Sequence, residues 1–381
     1  MRILVIGAGI GGLATARALT ADGHETVVLE RAPALRTSGA ALSLWSNGTA
    51  VLEDLGVSTD GLGAPIDLLE QRAWNGRSLS RIDLTHAAAV HGHPQLVVPR
   101  RDLIRRLAEG LPEGTVLFGK ECTGVTADGD RIRTEFRDGT TLDGDLLVGA
   151  DGYRSVVRRH LWQEDSPLRA SSWATWQGLS RIGIDTATSR RGLMVVGPEG
   201  MCGLMPAGGG LLQWWFDVPY SPAEPLPDSP LAALRRRFGH WASPVREVLE
   251  AADEADLDFF PHYRRRLPRT WSTGRAVVLG DAAHPMPPTG GAQGGNQTLE
   301  DAWALARALR RAPDVPRALA DYQRSRSRQA ALAVRLAGTE PANRYHPLLS
   351  RLTPGALASR AYTRWLRMVS TRLSQAPQPG V

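Results

Sequence analysis

Between Arg2 and Glu30 the chain reads RILVIGAGIGGLATARALTADGHETVVLE, and no other stretch limits its fold so tightly. Residues 2–7 form an apolar run of strand length. The next segment carries Ile10, Leu13, Ala14, Ala18 and Leu19 at helical spacing and closes at Gly23. TVVLE at 26–30 has the look of a second buried strand. A β-α-β unit of this kind demands a parallel sheet with helices packed on it. Gly7, Gly9 and Gly12 make G-x-G-x-x-G at the strand-to-helix junction. Gly7 permits the tight turn, Gly9 lets a pyrophosphate approach the backbone, and Gly12 lets helix meet strand. An anion there faces the free N–H groups and positive end of the helix. Glu30, ending the second strand, is placed to accept the hydroxyls of an adenosine ribose. NAD and FAD both satisfy these requirements.

Composition narrows the class. The 381 residues leave room for two domains or one core with an inserted layer, and 42% hydrophobic with 22% charged residues is ordinary for a soluble protein. Two cysteines, Cys122 and Cys202, exclude a disulfide framework and fit a reducing, cytoplasmic setting. No charged leader precedes the first strand, no apolar run approaches the roughly 18 residues of a membrane span, and no His/Cys/Asp spacing suggests a metal. The net charge of +6 comes almost entirely from arginine, Lys120 being the only lysine. The clusters LRRRF (234–238) and YRRRL (263–267) lack aromatic interleaving or any DNA-binding motif. They read as solvated surface, not as a nucleic-acid footprint.

Further strand-like runs follow at 115–119, 131–136, 145–151 and 276–281, with helical patterns at 101–111 and 298–312. Between about 165 and 270 the pattern changes. WATWQGLSRIGI, GLMVVGP, MCGLMPAGG and LLQWWFDVP look like antiparallel strands, and SPAEPLPDSP (221–230) like a turn-rich linker. The expected organisation is an α/β fold: a Rossmann-type FAD- or NAD-binding domain with a parallel sheet, interleaved with an antiparallel β-sheet substrate domain, plus C-terminal helices. We place the nucleotide domain at 1–68, 96–164 and 270–337, the substrate domain at 69–95 and 165–269, and a C-terminal helical segment at 338–381. Leu357, Ala361, Trp365, Met368 and Leu373 form a stripe that predicts a docked C-terminal helix.

Two further acidic sites distinguish the cofactor. LLVGADGYRS places Asp151 and Gly152 after one strand, and AVVLGDAAHPMPP places Asp281 after another. A simple NAD dehydrogenase has no need of them. FAD lies extended, and its ribityl chain and second phosphate need polar neighbours. GAGIGG with Glu30, GADGYRS, and GDAAHP followed by a glycine-rich turn and LEDA occur in the order that resembles the class A FAD-dependent aromatic hydroxylases, the p-hydroxybenzoate hydroxylase type. The likeness spans nearly the whole chain.

That resemblance implies FAD, with NADH or NADPH as co-substrate and O2 as oxygen donor to a small aromatic molecule, in a monomer or homodimer. It implies that Glu30 with the adjoining Arg31 meets the adenosine ribose, and that Asp281 lies along the ribityl and pyrophosphate region. Arg100 would reach the phosphates. Arg36 and Gly39 would lie in a loop near the flavin. Asp151 would act on the nicotinamide side, with simple bracing as the alternative for it and for Arg36. Pro288 shapes the turn after which Gly294, Gly295 and Asn296 would offer amides to the flavin ring. The family pattern after that proline is one residue shorter and has glycine where Ala292 stands. If Ala292 cannot take a positive φ cheaply, the turn must be remade with Gly290 or Gly291, and the loop is expected to depart from its relatives beside the flavin while FAD still binds.

GAALSLWSNG, WATWQGL and LMPAGGGLLQWWFDVP are similar to the urate hydroxylase branch. That branch implies an Arg and a Tyr where Met201 and Gln213 stand. With no such Arg, the expected substrate is a planar, largely neutral aromatic. Strand alternation puts Gln213 and Trp215 on one face, and we assign that face to the substrate together with Trp45, Met201 and Trp176. No general base is evident. Gln213, His262 and Tyr263 are the candidate catalytic residues, each with a structural alternative. A flavin oxidase or reductase, or an FAD-binding protein that transfers no oxygen, also fits these residues. A flavin halogenase fits poorly, since WATWQG has the wrong spacing for its tryptophan motif.

Overall fold

The computed structural model describes residues 1–36, 39–162, 166–289, 291–339 and 355–375. Gly290 and most of the 338–354 stretch lie outside them. The opening β-α-β unit forms as expected: strands Arg2–Ile6 and Glu25–Glu30 flank the Ile10–Ala21 helix. They pair in parallel with Ile3 opposite Thr26. Leu146–Gly149 pairs on the other side, Ile3 opposite Leu146. The sheet runs Ser272–Thr273, Ala276–Val278, Leu146–Gly149, Arg2–Ile6, Glu25–Glu30 and Val116–Phe118, parallel except at its first pair. Both faces are covered, which explains the unbroken apolar runs: Ile3, Leu4, Val5, Leu146, Leu147 and Val148 are all buried. The Gly294–Arg311 helix packs against the Ile10–Ala21 helix. The RIRTEF strand at Arg131–Phe136 is not part of this sheet. It is the middle of a separate antiparallel ribbon between Cys122–Asp128 and Thr141–Gly144. Its strict exposed–buried alternation is the mark of a sheet with one wet face.

The second large sheet has seven strands in the order Asp258–Arg264, Arg169–Ser180, Leu211–Pro219, Gly200–Gly208, Arg191–Gly197, Leu68–Ala73 and Ser78–Asp83. All pairs are antiparallel except Arg191–Gly197 with Leu68–Ala73. Helices Pro230–Phe238 and Val245–Ala251 cover its outer face, where Trp214, Phe216, Phe238 and Trp241 form one core. These helices are legible after the fact. Ser229 caps the first, its Oγ accepting from the Ala232 amide at 3.3 Å, and Pro230 occupies its first turn.

The inner face of the same sheet meets a small sheet of Ala41–Leu44, Leu96–Pro99 and Ala64–Pro65 from the nucleotide-binding half. Here Met205 and Ala207 bury against Trp45, Val97 and Ala41, and the C-terminal helix Gly355–Val369 closes over the cluster with Leu366, Tyr362 and Trp365. The C-terminal helix is docked, but by a different stripe from the one expected. Leu357 and Met368 are about half exposed, and Ser359, Thr363, Leu366 and Val369 are buried instead. Ser359 and Thr363 can go inside because each hydroxyl bonds back to the helix, to the Gly355 carbonyl at 2.8 Å and the Ser359 carbonyl at 2.9 Å.

Candidate cofactor and substrate site

At the first turn, three glycines do three different jobs. Gly7 has φ +101°, a conformation open mainly to glycine, and a Cβ on it would lie 2.7 Å from the Ala150 carbonyl oxygen. A Cβ on Gly12 would overlap the Gly7 carbonyl oxygen. Gly9 is exposed, with ordinary extended backbone, and a Cβ there would meet no protein atom within 4 Å. So Gly7 and Gly12 serve the fold, and Gly9 keeps an open cradle at the helix N-terminus. Glu30 is held beside it: its Oε2 accepts from the Ala8 amide at 2.7 Å and its Oε1 from the Ala32 amide at 2.9 Å. A carboxylate so fixed keeps lone pairs for a ribose. Arg31 is exposed next to it.

The middle of the cleft gathers charge from distant positions. Arg100 is the first residue of the Arg100–Ala108 helix, a position where a cation opposes the helix dipole. Burial and the Arg36 guanidinium lower its pKa, with Asp281 and Asp258 partly compensating. The side chains of Arg100 and Arg36 both border Gly39, which has φ +111°. Asp281 is half-buried, and its dry surroundings raise its pKa against the pull of His284 and Arg100. An extended dianionic cofactor suits two converging guanidiniums. Asp151 is half-buried and brackets the Val156–Leu161 helix, Oδ2 accepting from the Val156 amide at 2.7 Å and the Val157 amide at 3.2 Å. That geometry is bracing. Its Oδ1 is buried without a partner, and burial raises its pKa.

The glycine-rich turn takes an unexpected form. Ala292 itself adopts φ +49°, the one non-glycine residue to do so among the described residues, and Gly291 has φ +100°. The turn is thus not remade so as to spare Ala292. The Ala292 amide donates to the exposed Pro288 carbonyl at 3.1 Å, and the indole N–H of Trp45 donates to the Gly291 carbonyl. A Cβ on Gly291 would overlap Trp365. The local strain of Ala292 is held by contacts from two other elements. Gly294 opens the following helix, and a Cβ on it would meet nothing within 4 Å. The amides of Gly294, Gly295 and Asn296 precede the first helical bond, which runs from the Gln297 amide to the Gln293 carbonyl. The Asn296 side chain is committed elsewhere: Oδ1 accepts from the Trp45 amide at 2.9 Å, and Nδ2 donates to the Ser43 and Ala292 carbonyls. Only its backbone is left for a ligand.

LEDA and His284, the parts of the motif without a stated role, belong to one fully buried network. Arg326 donates to Asp301 at 2.7 Å, to Glu300 at 2.8 Å and to Gln297. Asp301 Oδ2 also accepts from the Gly280 amide at 2.8 Å and pairs with His284 Nε2 at 2.6 Å. Burial alone would raise Asp301; His284 and Arg326 outweigh it and hold the carboxyl below its usual range. The network locks the loop bearing Asp281 onto the helix that begins at Gly294. Arg326 carries no local sequence signal, since it lies inside an ordinary amphipathic helix.

On the substrate side, the register separates what was grouped. Gln213, Trp215 and Met205 share the inner face, with Trp215 lying flat across Gly203. Trp176 does not join them. It pairs with Phe216 and lies tilted at 40° to Phe259, ring centroids 4.5 Å apart, on the outer face, because it is even-numbered in a register that sets Gln177 opposite Trp215. Met201 shares the inner face by alternation with Gly203 and Met205, buried among Ala73, Leu79 and Val196 with Trp215 packed against that cluster. Trp45 is 2% exposed, stands at the N-cap position of the Ser46–Asp54 helix and braces the Gly291 turn. His262 is fully buried and bonds Thr175 Oγ1 at 2.8 Å, beside Asp217. Tyr263 stacks on Tyr153 at 4.9 Å. Neither is placed beside Gln213 by any contact seen.

This architecture, a Rossmann-type sheet with two open helix N-termini and gathered charge beside a second, antiparallel sheet, is that of an FAD-binding protein. Residues 1–337 match the family model for the FAD binding domain. The chain is 36% identical over 322 residues to 3-amino-4-hydroxybenzoate 2-monooxygenase of Streptomyces cremeus, covering 83% of this chain and 80% of that one. It is 35% identical over 336 residues to aurachin C monooxygenase/isomerase of Stigmatella aurantiaca, covering 87% and 86%. Klebsiella pneumoniae HpxO, solved with FAD and uric acid, superposes with a TM-score of 0.85 at 29% identity, covering 100% of this chain and 97% of that one. The chain belongs to this FAD-binding family of flavin hydroxylases.

Proposed function

We propose that the protein is an FAD-dependent monooxygenase that uses NADH or NADPH and O2 to place one oxygen atom on a planar, largely neutral aromatic molecule. Flavin, when bound, supplies hydride acceptance and oxygen activation. The residues that would hold it are Gly9 and the first helical turn at the pyrophosphate, and Glu30 at the adenosine ribose. Arg100, Arg36 and Asp281 would serve along the middle, and the amides of 294–296 at the ring. The chain's own contribution is positioning and exclusion of water. Trp215, Met205 and Trp45 wall the space with apolar surface, and the 355–369 helix closes it.

The observation that carries the substrate reading is the inner sheet face. Gln213 there is 8% exposed with a buried Oε1 that has no partner, and Met201 is sunk in an apolar cluster. A neutral hydrogen-bonding acceptor in apolar walls suits a neutral ring better than a small anion. The test is a screen of purified, FAD-loaded protein for aromatic compounds that stimulate NADH or NADPH oxidation and gain 16 mass units. Neutral aromatics should outperform urate and benzoates. Preference for the anions would overturn the substrate reading, and hydrogen peroxide as sole product would overturn oxygen transfer.

A further inference from the structure

Gln213 is not alone in having a buried oxygen without a partner. Tyr362, on the C-terminal helix, has a fully buried hydroxyl that bonds nothing among the described residues. Its ring is fixed between two indoles, edge-on to Trp45 at 5.9 Å and 83°, and 5.6 Å from Trp365. Tyr362 packs into the same apolar cluster as Leu211 and Trp215, the residues two before and two after Gln213 on the inner face of its strand. Buried polar atoms are nearly always paired, so two orphans at one cluster point to something that pairs with them. Burial pushes the phenol well above its usual range, so it stays protonated and donates. Gln213 Oε1 only accepts. The C-terminal helix therefore brings a donor to the same apolar cluster at which the sheet face offers an acceptor.

We propose that Tyr362 is a substrate-positioning residue. Its hydroxyl donates to a ring oxygen of the substrate, and Gln213 Oε1 accepts from a hydroxyl or amino group of the same molecule. This rests on the function proposed above and narrows it to rings carrying both an oxygen substituent and a donor, as in an aminophenol. The expected effect is on binding and alignment of the ring, not on the oxygen chemistry.

The test uses FAD-loaded full-length protein and two probes, 2-aminophenol and 3-amino-4-hydroxybenzoate, titrated by the change in flavin absorbance. Tyr362→Phe keeps the ring and its stacking. It should weaken 2-aminophenol roughly fivefold to tenfold, the loss expected for one neutral hydrogen bond. Gln213→Leu should weaken it similarly. Because the hydroxyl has no protein partner, Tyr362→Phe should leave Tm unchanged or higher. Unchanged affinity in both variants would overturn the assignment, as would a Tm loss of several degrees, which would mean that the hydroxyl holds the fold. Failure of 2-aminophenol to perturb the wild-type flavin at millimolar concentration would overturn the ring class. Tighter binding of the carboxylate probe, with the Tyr362 and Gln213 effects intact, would overturn only the neutral-substrate reading.

Discussion

Gly9 and Gly12 sit three residues apart in one motif, yet their substitution should have opposite consequences. Gly9→Val adds a side chain where the protein has no atom within 4 Å, on backbone any residue accepts. The expected outcome is a fold stable to within about 0.5 kcal/mol and a clear loss of FAD, read by flavin absorbance after purification. Gly12→Ala drives a methyl into the Gly7 carbonyl and should cost about 1–3 kcal/mol as overpacking, read by urea unfolding. Ala292 makes a second residue-scale test. An L-residue in the left-handed region is disfavoured by about 1–2 kcal/mol, while glycine gives back about 0.5–1 kcal/mol in chain entropy. Ala292→Gly should therefore raise Tm slightly. A fall would show that the methyl is itself needed for packing beside Trp45 and Trp365.

At the scale of elements, the Gly294–Arg311 and Val315–Gly338 helices are clasped by Arg326, and the clasp reaches the loop at Gly280 through Asp301. Arg326→Met removes the cation and leaves Glu300 and Asp301 buried without it. Loss of one partner from a buried pair costs about 3–5 kcal/mol, so unfolding should shift strongly to lower denaturant. The same pair sets a pH dependence. Asp301 has a depressed pKa in the fold, so its stabilisation is complete above the unfolded value of about 3.9. It is lost as pH falls through the folded value. Asp151 and Asp281 are raised in the fold and run the other way, costing stability as pH rises through their folded values. Acid unfolding should begin below about pH 4, and Arg326→Met should flatten that acid limb.

Seen as one molecule, the candidate cleft lies where two sheets and a C-terminal helix meet, so ligand and fold should be thermodynamically linked. Free FAD at 100 times its Kd should add about 2.7 kcal/mol to unfolding, read as a Tm that climbs with FAD concentration. In Gly9→Val the climb should vanish. Much of this arrangement was legible beforehand. The β-α-β unit, the first glycine turn and the antiparallel middle all follow from local spacing, and Gly7 and Gly12 stand where the motif predicts. The buried network was not legible, because Arg326 and Glu300 are 26 residues apart on two helices whose patterns are ordinary. Trp176 was misplaced for a related reason. Alternation along one strand says which residues share a face, but not which of two faces a neighbouring strand's residues join.

What the sequence determined by itself was the nucleotide-binding half and the chemistry of its ligand. The first depends on backbone conformations that few residues allow and on contacts within about thirty positions; the second needed the acidic strand ends at Asp151 and Asp281 as well. Tertiary structure alone decided which residues share the face proposed for the substrate. The register of Gln177 with Trp215 turned Trp176 outward, and docking of the last helix set Tyr362 against Trp45. Neither follows from spacing along the chain, because burial of a strand face or helix stripe depends on what arrives from elsewhere to cover it.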